Sequence, residues 1–340
     1  MEIFVYSKKT DEWKEDFSAE ELPGLLSDEN NCIWVDVEVN TPDHLRETEN
    51  ILLNIFKFHY LTVEDCREAR NQPKVEEFPD YLFFIIHGIR NETNTANFVT
   101  KELDGYLGKN FVVTIRNEQF RSIDEVKRQI RNNTQICRRG SAYLLHQILD
   151  KIVDMYMPLV DDFDSAINEL EDRVFMMKNA DNLILEEIMD LRRSVARLKR
   201  ISARQLEVLY RISHGEFPQI PENILPFFRD VHDHLLRISD LAESYRDLVG
   251  GLFEIHFSVT ANKTNEVMKI LAVFSAVLLP LSLIAGIYGM NFENMPELHS
   301  PYGYVFSLFL MFAIAAGLLY YFWRKGWIFE GSKGKKDLPD

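Results

Sequence analysis

Residues 270–290 read ILAVFSAVLLPLSLIAGIYGM and residues 300–323 read SPYGYVFSLFLMFAIAAGLLYYFW, 21 and 24 consecutive positions without a charge. Either run is long enough to cross a ~30 Å hydrocarbon core as an α-helix. Only residues 291–299 separate them, so the two runs read as a helical hairpin. The competing reading is two buried helices of a soluble core. Two such runs side by side at the end of a strongly charged chain argue against it. The 291–299 loop has no Lys or Arg, whereas Arg324, Lys325, Lys333, Lys335 and Lys336 follow the second run. This asymmetry puts the C-terminus in the cytoplasm and the loop outside, and two crossings return the N-terminal region to the cytoplasm. Tyr320, Tyr321, Trp323 and Trp327 suit an interfacial belt at the inner face.

Outside the hairpin the chain is acidic. Its 340 residues carry a net charge of −15, and the mean hydropathy of −0.17 suggests a soluble protein. The distribution says otherwise: residues 1–265 hold −15, residues 266–323 hold −2 and residues 324–340 hold +2. Nucleic-acid binding needs a basic footprint and is excluded by this balance. Cys32, Cys66 and Cys137 are odd in number and far apart, which speaks against a disulfide framework or a zinc ribbon. The opening MEIFVYSKKTDEWKED lacks the apolar run of a signal peptide. No G-x-x-x-x-G-K-[ST] loop occurs, so a nucleotide is not expected. Nucleophile–base pairs and hydrolase motifs are also missing, and no enzyme activity is expected.

The first ~115 residues mix strand and helix patterns. Ile3–Tyr6 and Cys32–Val39 read as strands, the second alternating as I-W-V-D-V-E-V. Thr41 followed by Pro42 starts a helix over Leu45–Phe56. Thr62 is expected to cap a short helix holding Glu64 and Asp65. Tyr81–Ile89 reads as a buried strand, and Phe98–Leu107 with Asn110–Ile115 as a hairpin joined at Gly108-Lys109. From Ser141 the period becomes helical: an acidic stretch to Lys178, then Asp181–Ile212 with one apolar face. The basic residues Arg192, Arg193, Arg197, Lys199, Arg200 and Arg204 on the latter are expected to pair with the acidic helix before it. His232 and His234, at i and i+2, point apart on a helix and do not chelate jointly.

Residues 227–279 contain no proline, and as one helix they extend ~80 Å. Apolar positions 228, 231, 235, 238, 241, 245, 248, 252, 255 and 259 form a heptad-like stripe, interrupted by Gly250-Gly251. Two spans per chain cannot enclose an aqueous path, so transport requires a cyclic oligomer. Asn265, Met268, Ala272, Ser275, Leu279, Ser282, Gly286 and Gly289 follow steps of three and four along the first span. Small residues at this spacing serve close helix packing or line a pore. Asn265 and Asn291, bracketing the stripe with amides, favour the pore, with Met268, Leu271 and Leu279 as apolar constrictions.

The tetrad Tyr288-Gly289-Met290-Asn291, followed by Met295-Pro296-Glu297-Leu298 between two C-terminal spans, resembles the CorA family of divalent-cation channels. The likeness extends to NKTNEVMK at 262–269, FRDVHD at 228–233 and QPKVE at 72–76, nearly the whole chain. It implies a homopentamer in the lipid bilayer of the cell membrane, carrying Mg²⁺, with Co²⁺ and Ni²⁺ as further ions. The expected architecture is an α+β membrane protein: a cytoplasmic α/β domain over 1–135 and a cytoplasmic helical region over 136–225. A stalk helix over 226–269 then runs into transmembrane helix 1 over 270–290, which lines the pore. The outer loop over 291–299, transmembrane helix 2 over 300–323 and the basic cytoplasmic tail over 324–340 complete it.

Tyr288, Gly289, Met290 and Asn291 form the expected selectivity filter, and Asn265, Met268, Leu271, Ser275, Leu279, Ser282 and Gly286 the pore lining. Mg²⁺ releases its waters reluctantly, so a ring of Asn291 amides is suited to hydrogen-bonding the hydrated ion rather than stripping it. Glu293 and Glu297 stand where they concentrate cations outside. The resemblance also implies regulatory Mg²⁺ bound between protomers in the cytoplasm. Asp65 and Asp230 match its ligands, with Glu64 and Asp154 as further candidates. Two alternatives stay open. One is a zinc transporter of the same superfamily, against which Met290 argues. The other is a non-conducting membrane metal sensor, against which the polar stripe and Asn291 argue.

Overall fold

Alternating apolar residues in the first part of the chain build one mixed sheet. The computed structural model describes residues 1–67, 71–132, 135–176, 182–291, 295 and 302–328. Its first elements are β1 (Glu2–Ser7), β2 (Glu12–Lys14), α1 (Leu22–Ser27), β3 (Asn31–Glu38), α2 (Pro42–Asn50) and α3 (Tyr60–Asp65). β4 (Lys74–Glu77), β5 (Tyr81–Ile89), β6 (Thr100–Gly108) and β7 (Phe111–Arg116) follow. The seven strands lie in the order β2-β1-β3-β7-β6-β5-β4. β3 and β7 pair in parallel, and the remaining neighbours are antiparallel.

One sheet face packs Ile3, Val5, Ile33, Val35, Tyr106 and Val113 against Leu22 of α1 and Val63 of α3. The other carries α4 (Arg121–Asn132) and, after α5 (Gln135–Arg138), α6 (Ser141–Asp154), which packs on β3, β5, β6 and β7. Helices therefore cover both faces. This changes the reading of β3, whose alternation suggested one wet face. Asp36 is buried there too, because β3 is an inner strand.

Local signals set several boundaries. Thr41 caps α2, its Oγ1 accepting from the His44 N–H at 3.2 Å, with Pro42 in the first turn. The helix past Asn50 continues as a π-turn over Ile51–Ile55. α3 is capped by His59, not by Thr62: the His59 ring accepts from the Leu61 N–H, while the Thr62 hydroxyl donates to the His59 carbonyl at 2.9 Å inside the helix. The expected long helix from Ser141 breaks into α6 and α7 (Tyr156–Met176). Pro158 explains the position: it has no N–H for the carbonyl four residues back, which is that of Asp154, and its ring crowds that carbonyl. Lys178 lies outside the described residues.

α8 (Asn182–Ser213) follows. Its cations pair differently from the expectation. Arg193 meets Asp190 and Arg204 meets Glu207 on α8 itself, and Arg197 donates to the Phe98 carbonyl at 2.9 Å. Lys199 reaches Glu243, on α9 (Leu225–Tyr288). The face of α8 toward its neighbours is apolar, so its charges find partners along the helix or at its edges.

The chain divides into two units, one within residues 1–253 and the other within 254–340. In the first, α9 buries Phe228, Val231, Leu235, Ile238, Ala242, Tyr245, Val249 and Leu252. The steps are strictly three and four, so Ala242 and Val249 take the buried places expected for Leu241 and Leu248. Leu248 is exposed. Gly250 and Gly251 do not interrupt the helix, and no atom lies within 4 Å of a Cβ built on either. In the second unit, α9 and α10 (Gly303–Arg324) carry the two apolar runs. Only 6% of the most apolar window of each is buried, so neither is a core helix of this chain.

Candidate functional site

α9 continues through Pro280, which removes the N–H that the Ala276 carbonyl would accept. The helix closes at the expected filter. The Gly289 N–H donates to the Ala285 carbonyl at 2.9 Å and the Met290 N–H to the Ile287 carbonyl at 3.2 Å. Asn291 follows, outside the helix and exposed. Tyr288 is half-buried, while Gly289 and Met290 are exposed. Asn265, Met268, Leu271, Ser275, Leu279, Ser282 and Gly286 are all exposed as well, Leu279 at 70%. Leu271, Ser275, Leu278, Leu279 and Ser282 line a shallow groove along the helix. Glu293 and Glu297 lie outside the described residues. At the end of α10 the aromatic residues cluster: Tyr320 lies near Trp323 (centroids 5.9 Å apart), Phe322 stacks on Trp327 at 5.5 Å, and the Lys325 ammonium lies over the Tyr321 ring.

The four regulatory candidates form two groups. Glu64 and Asp65 sit on α3. Asp65 accepts from the Lys74 Nζ at 2.7 Å, and Lys74 also reaches Glu76 at 2.9 Å. Glu64 is exposed. Behind them lies a buried polar cluster. Burial and the neighbouring Glu102 hold the Asp104 carboxyl well above the usual carboxylate range. Burial raises the Cys66 thiol, which contacts the Tyr106 hydroxyl at 3.4 Å. A cation at Asp65 must therefore compete with Lys74 and gains from surrounding carboxylates.

The second group joins α6 and α9. Ligand atoms of Asp150, Asp154 and His234 lie within 4.8 Å of one another. Asp230 stands one turn before His234 on the same face of α9. Burial raises the Asp150 carboxyl, and Asp154 and Asp230 add to the effect while Lys151 and His234 oppose it. Asp154 accepts from the Lys151 Nζ at 2.6 Å. Two carboxylates and an imidazole can hold a divalent ion completed by water. Asp150 and His234 were not singled out from the sequence. Their signal was two i, i+4 pairs, Asp150/Asp154 and Asp230/His234, on separate helices. His232 points elsewhere, its ring 6.0 Å from that of Tyr210, in line with the expected divergence of the two histidines.

Comparison with known proteins places the chain in a family. A family model described as CorA-like Mg²⁺ transporter protein matches residues 29–325. The cobalt/magnesium transport protein CorA of Thermotoga maritima is 33% identical over 331 residues, 96% of this chain and 93% of that protein. The cobalt/magnesium transport protein CorA of Methanocaldococcus jannaschii is 27% identical over 258 residues, 75% of this chain and 80% of that protein. The structure of the complete CorA magnesium transporter from Methanocaldococcus jannaschii superposes with a TM-score of 0.82 at 23% identity, covering 96% of this chain and 99% of the other. That likeness extends through the α/β domain, the long helix and both apolar helices, the fold class expected from the sequence. By the family match and the identity to its relatives, the chain belongs to the CorA-like Mg²⁺ transporter family.

Proposed function

We propose that this chain is a subunit of a channel passing Mg²⁺ inward across the cell membrane, with Co²⁺ and Ni²⁺ as further ions. The observation that carries the reading is Asn291. It is an exposed amide just beyond the end of a 64-residue helix, following Tyr288-Gly289-Met290 at the mouth of an apolar span. Five copies around an axis bring five such amides into a ring able to hydrogen-bond the waters of a hydrated ion. A ring of carboxylates would instead bind the bare ion and retain it. The exposed stripe from Asn265 to Gly286 supplies the wall, with Met268, Leu271 and Leu279 as constrictions that close by dewetting. Glu293 and Glu297 attract cations at the outer mouth, and both termini are cytoplasmic.

No nucleotide is needed. A divalent ion moving through 100 mV gains about 4.6 kcal/mol, twice the value for one charge. Regulation comes from cytoplasmic Mg²⁺ bound between protomers, with Asp65 and Asp230 as ligands and Glu64 and Asp154 beside them. The placement of the two carboxylate groups on different elements, α3 and the α6/α9 pair, supports a site completed by a second chain. A filled site holds the stalks symmetric and closed, and its loss shifts the population toward open states. In proteoliposomes, Asn291→Ala is expected to lose nearly all Mg²⁺ flux while the oligomer stays intact on size exclusion. Mg²⁺-selective flux at the wild-type rate in that variant sinks the filter assignment.

A further inference from the structure

A cavity of about 230 Å³ opens in the α/β domain. The end of β5, the start of β6, the start of α4 and the α6–α7 junction enclose it, with Arg90, Lys101, Phe120, Arg121, Ser122 and Asp162 among its lining. Lys101 is 7% exposed. Its ammonium donates to the Gln119 carbonyl and lies over the Phe120 ring, 4.5 Å from the centroid. Among the described residues no carboxylate pairs with it. A buried charge without a counter-charge is costly. Burial lowers the Lys101 pKa, Glu118 and then Glu92 oppose it, and Arg116 and Arg121 add smaller pushes downward.

Arg121 deepens the imbalance. It is exposed, it makes no side-chain hydrogen bond or ion pair among the described residues, and it is the first residue of the 12-residue helix α4. A helix N-terminus carries partial positive charge and N–H groups without intrahelical acceptors, and it favours anions over cations. The acidic residue of that first turn, Asp124, is engaged by the Gln119 Nε2 at 2.9 Å. Arg90, by contrast, is neutralised by Glu118. Asp162 is the one carboxylate of the lining. Two cations without an ion-pair partner among the described residues, and a helix N-terminus, thus face one small cavity in a protein of net charge −15.

We propose that this cavity binds a phosphate group. Lys101 serves as the buried point charge, Arg121 as the forked donor, and the first N–H groups of α4 bind the remaining oxygens. The donors match a tetrahedral dianion, and the volume suits a phosphate with a few further atoms rather than a large ligand. Free phosphate and a small phosphomonoester share this chemistry.

The test is equilibrium dialysis of the full chain in detergent against radiolabelled inorganic phosphate, and separately against glycerol phosphate. EDTA is present so that no metal bridges the anion to the acidic surface. One saturable site per chain is expected for at least one probe, and which probe binds tells the source. Lys101→Met or Arg121→Gln is expected to weaken it about tenfold or more. Arg128→Gln, which removes one charge from the same helix away from the cavity, is expected to leave it unchanged. Absence of saturable binding of both probes, or unchanged affinity in both Lys101→Met and Arg121→Gln, overturns the proposal, as does an equal loss in Arg128→Gln. Arg121 is exposed, so its variant decides the matter even if Lys101→Met fails to fold.

Discussion

His146 shows how much one side chain of this protein depends on its surroundings. It is 5% exposed on α6, packed between Tyr143 and the α9 residues Phe227 and Phe228. Burial lowers its pKa from 6.5 to about 4, with Asp230 opposing and Arg139 adding to the shift. The unfolded chain therefore takes up a proton between pH 6.5 and about 4 that the folded chain refuses. The stability from the neutral ring is complete above pH 6.5 and is lost as the pH falls toward 4. His146→Leu is expected to flatten the drop in Tm between pH 7.5 and 4.5, and an unchanged slope refutes this. On the same helix pair, Asp230 lies beside His146 and the Asp150–Asp154–His234 cluster. Asp230→Ala is expected to shift the inhibition of flux by internal Mg²⁺ to higher concentration, several-fold or more. An unchanged inhibition curve removes Asp230 from the sensor.

At the scale of elements, the sheet is tied to α4 by a buried ionic network. Asp36 of β3 receives the Arg116 Nη2 of β7 at 3.1 Å, the Lys127 Nζ of α4 at 2.6 Å and the Thr114 hydroxyl at 2.7 Å. The Trp34 indole N–H donates to that same Thr114 oxygen at 3.0 Å. All three charged groups are at most 5% exposed. Asp36→Ala removes the carboxylate shared by both cations, leaving Arg116 only Glu38 at 2.6 Å and Lys127 only Glu2 at 2.8 Å, both less buried, and a loss of about 3 kcal/mol follows from breaking such a network on one side. Chemical denaturation measures it, and a loss under ~1 kcal/mol marks the network as dispensable. The helices show a subtler selection. Along α9 a strict three–four step buries the smaller Ala242 and Val249 and leaves Leu248 in solvent. Size yields to phase here, because a supercoiled seam keeps one heptad position facing its partner.

At the scale of the whole molecule, one chain is incomplete. Leu271, Phe274, Leu278, Leu279 and Leu283 are each more than half exposed on α9, as are Phe309 and Phe312 on α10. Lipid covers part of such a surface. The polar and small positions Asn265, Ser275, Ser282 and Gly286 on α9 are poorly matched to lipid and better matched to water or to another helix. Five chains are expected in detergent solution, measured as protein mass by light scattering coupled to size exclusion. A monomer at transport-competent concentrations contradicts the ring on which the Asn291 filter depends. On the proposed function, the acidic balance of residues 1–265 acquires a role at this scale, gathering divalent cations near the carboxylates of α3, α6 and α9.

The amino-acid sequence alone determined what depends on neighbours along the chain. Runs without charge, strand and helix periods, the Thr41-Pro42 start and the helix end at Tyr288 are local patterns, and most of them reappear in the structure. The Pro158 break was equally local and went unread, because the apolar period continues across it. Tertiary structure alone decided what depends on distance through space. Asp36 and Arg116 are 80 residues apart and meet only because β3 and β7 run in parallel. Asp150, Asp154 and His234 converge through the packing of α6 on α9. Lys101 has no ion-pair partner among the described residues, because folding buries its stem beside Phe120 and turns its head to the Gln119 carbonyl. A charge in a sequence reads as solvated by default, and burial, which no local pattern reports, turns it into a site.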